Sequence, residues 1–130
     1  MKVEAVGAAH VDEVWRRYTC PELWSQWAPQ IRRVTVEGRA GDQPIEAGVR
    51  GVVHGPGLVR IPFEIVDVDQ RTRRWTWRVG VGPASITMDH GVDPVAGGHG
   101  SRAWVKLHLP LPLAAGYAPV ARWALRRAVR

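Results

Sequence analysis

The chain has 130 residues, 45% of them hydrophobic and 23% charged, which suits one globular domain with a single real core and excludes a fibrous or disordered chain. Its formal net charge is +6, yet only Lys2 and Lys106 are lysines and the arginines are scattered along the chain. A surface that tracks phosphates would gather them, so no nucleic-acid partner is expected.

In chain order, MKVEAVGAAH holds no apolar run fit for a signal peptide, and a cytoplasmic protein is expected. Residues 2–7 alternate weakly and predict a first strand. In HVDEVWRRYT, Val11, Val14, Trp15 and Tyr18 fall at helical spacing, and Asp12 and Glu13 suit a first turn. Pro21 opens a second short helix, PELWSQWA, which Pro29 ends. Between the two lies Cys20, the lone cysteine, so no internal disulfide forms and a stapled secreted scaffold is excluded.

From Ile31 the period changes to two. Strands are predicted over 31–38, 49–54, 59–68, 74–81, 84–92 and 103–109, joined by turns at GRAGDQP, HGPG, DQRT and VAGGHGS. Val59, Ile61, Phe63 and Ile65 share one face of their strand. Trp75, Trp77 and Val79 share a face of the next, and Ile86, Met88 and His90 of the one after. The run near Leu109–Ala115 is broken by Pro110 and Pro112, and nothing in the chain spans a membrane. Residues 114–130 predict a final helix with an apolar stripe of Tyr117, Val120, Ala121, Ala124 and Ala128, and Pro119 either sits in its first turn or kinks it. An α+β domain over residues 1–130 follows: a strand, two short helices, about six hairpin-linked strands, and a helix to cover the greasy face of the sheet.

Particular residues add a resemblance to that order. AAHVDEVWRRYTCPELWSQWAPQIRRV, EAGVRG, IVDVDQRTRRWTWRV and DHGVDPVAGGHGSRAWVKLHL resemble, in sequence order, the motifs of the SRPBCC superfamily of polyketide cyclase/dehydratase and START-like proteins. The resemblance covers essentially the whole chain. It implies a helix-grip fold, in which a seven-stranded antiparallel sheet wraps around a long C-terminal helix, with two short helices after strand 1. It also implies an internal cavity for a hydrophobic small molecule; no cofactor is expected.

Facing selects the candidate residues. In phase with Phe63, the side chains of Trp75, Trp77, Met88, His90 and Val105 are expected to point inward and to line the cavity. Trp24 and Trp27 are expected at its rim, and Trp123 from the last helix is added as a ligand contact. Seven tryptophans in 130 residues offer flat area with one N–H donor each, which suits a ring-bearing ligand; the plainer alternative is that they fill a small core. His90, titratable near neutrality on an apolar face, is the candidate acid/base residue, and Tyr117 is the second catalytic candidate. Asp89 adjoins His90 but faces the other way, so the two form no dyad. His54 and His108 are expected to face solvent, and the histidines lack metal-site spacing. Arg78 and Arg122 are candidates for neutralising an acidic ligand. Trp104 is expected on the outside. No phosphate loop, dinucleotide fingerprint or nucleophile elbow is present.

The functions expected are a polyketide cyclase/dehydratase-like protein of specialised metabolism or a non-catalytic carrier of an apolar or aromatic ligand, as a monomer or homodimer. A third class, an interaction module built on Trp104 and the basic tail, predicts a filled interior.

Overall fold

A computed structural model describes the whole chain, Met1–Arg130. Strand β1 (Lys2–Gly7) leads into helix α1 (Val11–Thr19), then a 3-10 turn at Pro21–Leu23 that runs directly into helix α2 (Trp24–Trp27). Strands β2 (Arg33–Val36), β3 (Arg50–His54), β4 (Arg60–Asp69), β5 (Arg74–Val79), β6 (Ile86–Pro94) and β7 (Ser101–Leu107) follow, and helix α3 (Leu111–Ala128) closes the chain. The strands form one antiparallel sheet in the order β1-β7-β6-β5-β4-β3-β2. This is the helix-grip arrangement expected from the resemblance.

His10 caps α1, its Nδ1 accepting from the Asp12 amide at 3.1 Å, which satisfies one of the free donors at a helix start. Helix α3 begins three residues earlier than the stripe predicts, because Pro110 and Pro112 fall at the cap and in the first turn. There a missing N–H costs nothing. Pro119 lies inside this helix, which runs on through it to Ala128.

Helix α3 packs on β1 and β7, while α1 lies against β6 and β7. The inner faces of β4 and β5 are covered from above by the aromatic residues of α1 and α2 instead. Tyr18 stands with its ring 5.4 Å from that of Trp27 and 6.2 Å from Trp75, and its hydroxyl donates to the Trp104 carbonyl at 3.2 Å. The Trp24 indole N–H donates to the Tyr18 carbonyl at 2.9 Å, and that of Trp27 to the Arg17 carbonyl at 3.0 Å. These bonds tie the short helices to each other and hold two large rings over the sheet.

A register shift between Ile65 and Asp67 bulges β4 against β5. Beyond it Val68 pairs with Trp75, as Ile65 pairs with Trp77 before it. One extra residue therefore restores the apolar phase instead of inverting it.

Candidate functional site

Cross-strand pairing builds the floor of a cavity. Trp77 pairs with Met88 and Trp75 with His90, and His90 pairs in turn with Val105 on β7. Residues directly opposite share a face, so all five turn toward α3. The helix meets them with Ala121 and Ala124 between Tyr117 and Leu125, and the space those alanines leave is not filled. The result is a cavity of about 330 Å³ lined by 20 residues, 17 of them hydrophobic, within the range of small-molecule pockets. Of its lining residues His90, Trp75 and Leu125 are buried and mark the deep end. Ile61 and Ala84 are exposed and Gln30 and Tyr117 half-buried, and these mark the open end.

The rings around the deep end are closely packed. His90 stacks on Trp75 with centroids 3.9 Å apart and planes 6° from parallel. Trp24 stacks on Trp75 at 5.6 Å, and Trp77 meets Trp75 edge-on at 5.5 Å. Burial drives the His90 imidazole down from its ordinary value of 6.5 to about 3, because a charged ring there would lose its hydration. His90 is therefore neutral throughout the physiological range. The Tyr117 phenol, at the open end, accepts a hydrogen bond from Gln30 Nε2 at 3.1 Å, and burial raises its pKa.

No Asp, Glu, Lys or Arg lines the cavity. The polar capacity it holds is neutral and largely unused. Trp75 Nε1, Trp77 Nε1, His90 Nδ1 and Gln30 Oε1 are buried without a hydrogen-bond partner in the protein, a condition few buried polar atoms show. All four belong to residues that line this cavity. By contrast, Trp15, Trp24, Trp27 and Trp104 each donate their N–H to the protein.

The structure thus brings Trp24, Trp27, Trp75, Trp77, Met88, His90, Val105 and Tyr117 to one cavity. It leaves out two residues expected there. Phe63 is 4% exposed but lies behind the wall, its ring 5.5 Å from Trp24 and 5.4 Å from Trp77, because Gly51 opposite leaves it room beside the sheet. Trp123 is 56% exposed and points away: the buried face of α3 carries Ala114, Ala118, Ala121, Ala124 and Ala128, and two residues beyond Ala121 a side chain stands on the far side.

His54 also departs from expectation. It is buried, not solvent-facing, with Nε2 3.1 Å from Thr35 Oγ1, because β2 and β4 flank it on both sides. His108 is exposed, with Nε2 2.8 Å from Asp89 Oδ2 on the outer face of the sheet. Arg78 is held on that outer face by Glu64 at 3.1 Å, and neither it nor Arg122 reaches the cavity. Trp104 lies outside, its ring covering Gly91 and its N–H donating to Asp93 Oδ2 at 3.2 Å. Sequence reasoning named Tyr18 only as a helix position and missed Gln30. A lone glutamine after a proline carries no signal of its partner 87 residues away.

Comparison with known proteins agrees with this architecture. The family described as "Polyketide cyclase / dehydrase and lipid transport" matches residues 1–130. The chain belongs to this family. It lies within the SRPBCC superfamily that the sequence resembles. No curated protein has a matching sequence. Among solved structures, a protein of Nitrosospira multiformis superposes with a TM-score of 0.75 at 20% identity, over 99% of this chain and 92% of that one. The di-domain ARO/CYC BexL from the BE-7585A biosynthetic pathway gives 0.74 at 17% identity, over 99% of this chain and 44% of its own. DynU16, a putative protein in the dynemicin biosynthetic locus, gives 0.67 at 22% identity, over 97% and 45%. At these identities the likeness is one of fold.

Proposed function

We propose that the protein binds an uncharged, ring-bearing hydrophobic small molecule in the cavity between α3 and the sheet, as a polyketide cyclase/dehydratase-like protein of specialised metabolism. The observation that carries this is the composition of the wall: aromatic faces and aliphatic groups, four unpartnered neutral polar atoms, and no charge. A charged ligand would lose its hydration there with nothing to replace it. A flat ligand with a carbonyl or hydroxyl oxygen would stack on the rings and use the free donors. Family membership and the resemblance in fold to BexL and DynU16 support the same direction.

In this role the protein acts on its substrate mainly by orientation and by exclusion of water. With a pKa near 3, His90 offers a neutral hydrogen-bonding edge and is a weak base, so it positions an oxygen or takes a proton only from a substrate that is itself acidic. Tyr117, protonated and bonded to Gln30, presents a neutral hydroxyl at the open end.

The same depressed His90 pKa favours a second reading, a carrier that binds the molecule and leaves it unchanged. Native mass spectrometry of the gently purified protein, followed by incubation with a cyclisable poly-carbonyl substrate, separates the two. The first reading predicts turnover that His90→Ala and Tyr117→Phe each lower at least tenfold. Release of an unaltered co-purified molecule, with no turnover, assigns the protein as a carrier.

A further inference from the structure

Four segments frame the open end of the cavity: residues 28–33 before and into β2, the β3–β4 turn over 54–61, the β5–β6 loop over 80–86, and the entry to α3 over 108–117. The antiparallel order places all four at one end of the sheet. They carry the four most exposed large apolar side chains of the chain. Leu58 is 97% exposed at the tip of its turn, with Val81, Leu111 and Leu113 at 68%, 68% and 62%. These four stand on three separate projections around the opening. Pro56, Pro83, Pro110 and Pro112 lie in the same projections and restrict their backbones.

The charge at this end is one-sided. Arg32, Arg33 and Arg60 are exposed and make no ion pair, and the four segments contain no Asp or Glu at all. Arg33 and Arg60 stand in one row across three strands, on either side of His54. Of the acidic residues, Asp12, Asp42, Glu46, Asp67, Asp69 and Asp93 lie at or toward the opposite end, Glu64 is paired with Arg50 and Arg78, and Asp89 contacts His108.

We propose that this end docks on an anionic lipid bilayer, with Leu58, Val81, Leu111 and Leu113 entering the headgroup layer and Arg32, Arg33 and Arg60 meeting lipid phosphates. Separate apolar points arranged about an opening, backed by unpaired arginines, fit a soft apolar phase under an anionic surface. They form no continuous groove for a helix or a strand. A second copy of the chain would bring the same arginines face to face, so the charge opposes self-association here. Docked in this way, the opening faces the bilayer, and an apolar molecule passes between membrane and cavity without crossing water. Docking itself is independent of what the cavity binds, and goes beyond the proposed function.

Co-sedimentation with vesicles of phosphatidylcholine alone, and of phosphatidylcholine with 30% phosphatidylglycerol, tests it. The expected result is binding to the anionic vesicles, at least tenfold weaker binding to the neutral ones, and reversal by salt. Arg32→Gln with Arg60→Gln weakens binding about fivefold for each arginine removed. Leu58→Ser with Leu111→Ser and Leu113→Ser removes it at unchanged circular dichroism. Arg71→Gln with Arg126→Gln, away from the opening, is the charge control. The proposal is overturned if the anionic vesicles are not bound, or if the control variant loses as much as the arginine variant, which would reduce binding to net charge. Equal binding by the leucine variant overturns it as well. None of these substitutions touches a cavity-lining residue, so a failure here leaves the proposed ligand site standing, and loss of ligand binding with vesicle binding intact would do the reverse.

Discussion

His90 lies 3.9 Å from Trp75 in a parallel stack, and its burial has a cost that depends on pH. The folded pKa is lowered from 6.5 to about 3, so between those values the unfolded chain takes up a proton that the folded protein refuses. Stability is full above about pH 6.5 and falls as the pH drops toward 3, by up to about 1.4 kcal/mol per pH unit for one group. Urea midpoints at pH 7.5 and 4.5 are expected to differ markedly in the wild type. They are expected to differ much less in His90→Phe, which keeps a flat ring and removes the titration. An unchanged pH dependence in that variant would mean that His90 is not the group responsible. The inward placing of Trp75, Trp77, Met88, His90 and Val105 is legible from period-two alternation alone. The depressed pKa is not, because it depends on Tyr18 closing over the ring, 5.9 Å away, from a helix far away in sequence. Trp123 is the opposite case. The alanine stripe already excludes it from the inner face, and its aromatic character alone suggested the site.

At the scale of elements, the cavity depends on what α3 lacks. A face of alanines allows the helix to lie along β1 and β7 while leaving space over β5 and β6. Replacing Ala121 or Ala124 by Phe fills that space with a side chain of the right chemistry. Ligand binding is expected to fall at least tenfold with the melting temperature held or raised, since a filled cavity regains contacts. Thermal melts and a binding titration on the same preparations check both halves. On the other side of the sheet, Gly91 has the Trp104 ring packed directly on it, so that an added Cβ would overlap the indole. Gly91→Ala must displace a ring held by Asp93 and is expected to cost about 1–3 kcal/mol, measurable by urea unfolding. The order of elements and most strand faces follow from the sequence pattern. The bulge after Ile65 does not, since a run reading FEIVDVD has no glycine or proline to mark it. Nor does the empty volume, because an alanine stripe reads equally well as tight helix packing.

For the molecule as a whole, the end that holds the β3–β4 and β5–β6 turns and the entry to α3 is apolar, with no Asp or Glu in those segments, while the opposite end carries acidic and basic residues together, as in the Arg73–Asp12 and Arg74–Asp93 pairs. On the two proposals, ligand entry and membrane contact share the end of the sheet at which the β3–β4 and β5–β6 turns lie. Family membership accounts for the architecture; in the function proposed, the wall of Trp24, Trp27, Trp75, Trp77 and His90 decides what fits. The direct test of that wall is a fluorescence titration with the uncharged aromatic probe N-phenyl-1-naphthylamine, exciting the tryptophans and reading energy transfer to the probe. The expected result is saturable binding at one probe per chain, lost at least tenfold in Ala121→Phe and unaffected by Trp123→Ala. Unsaturable binding, or equal binding in Ala121→Phe, would contradict an internal aromatic site.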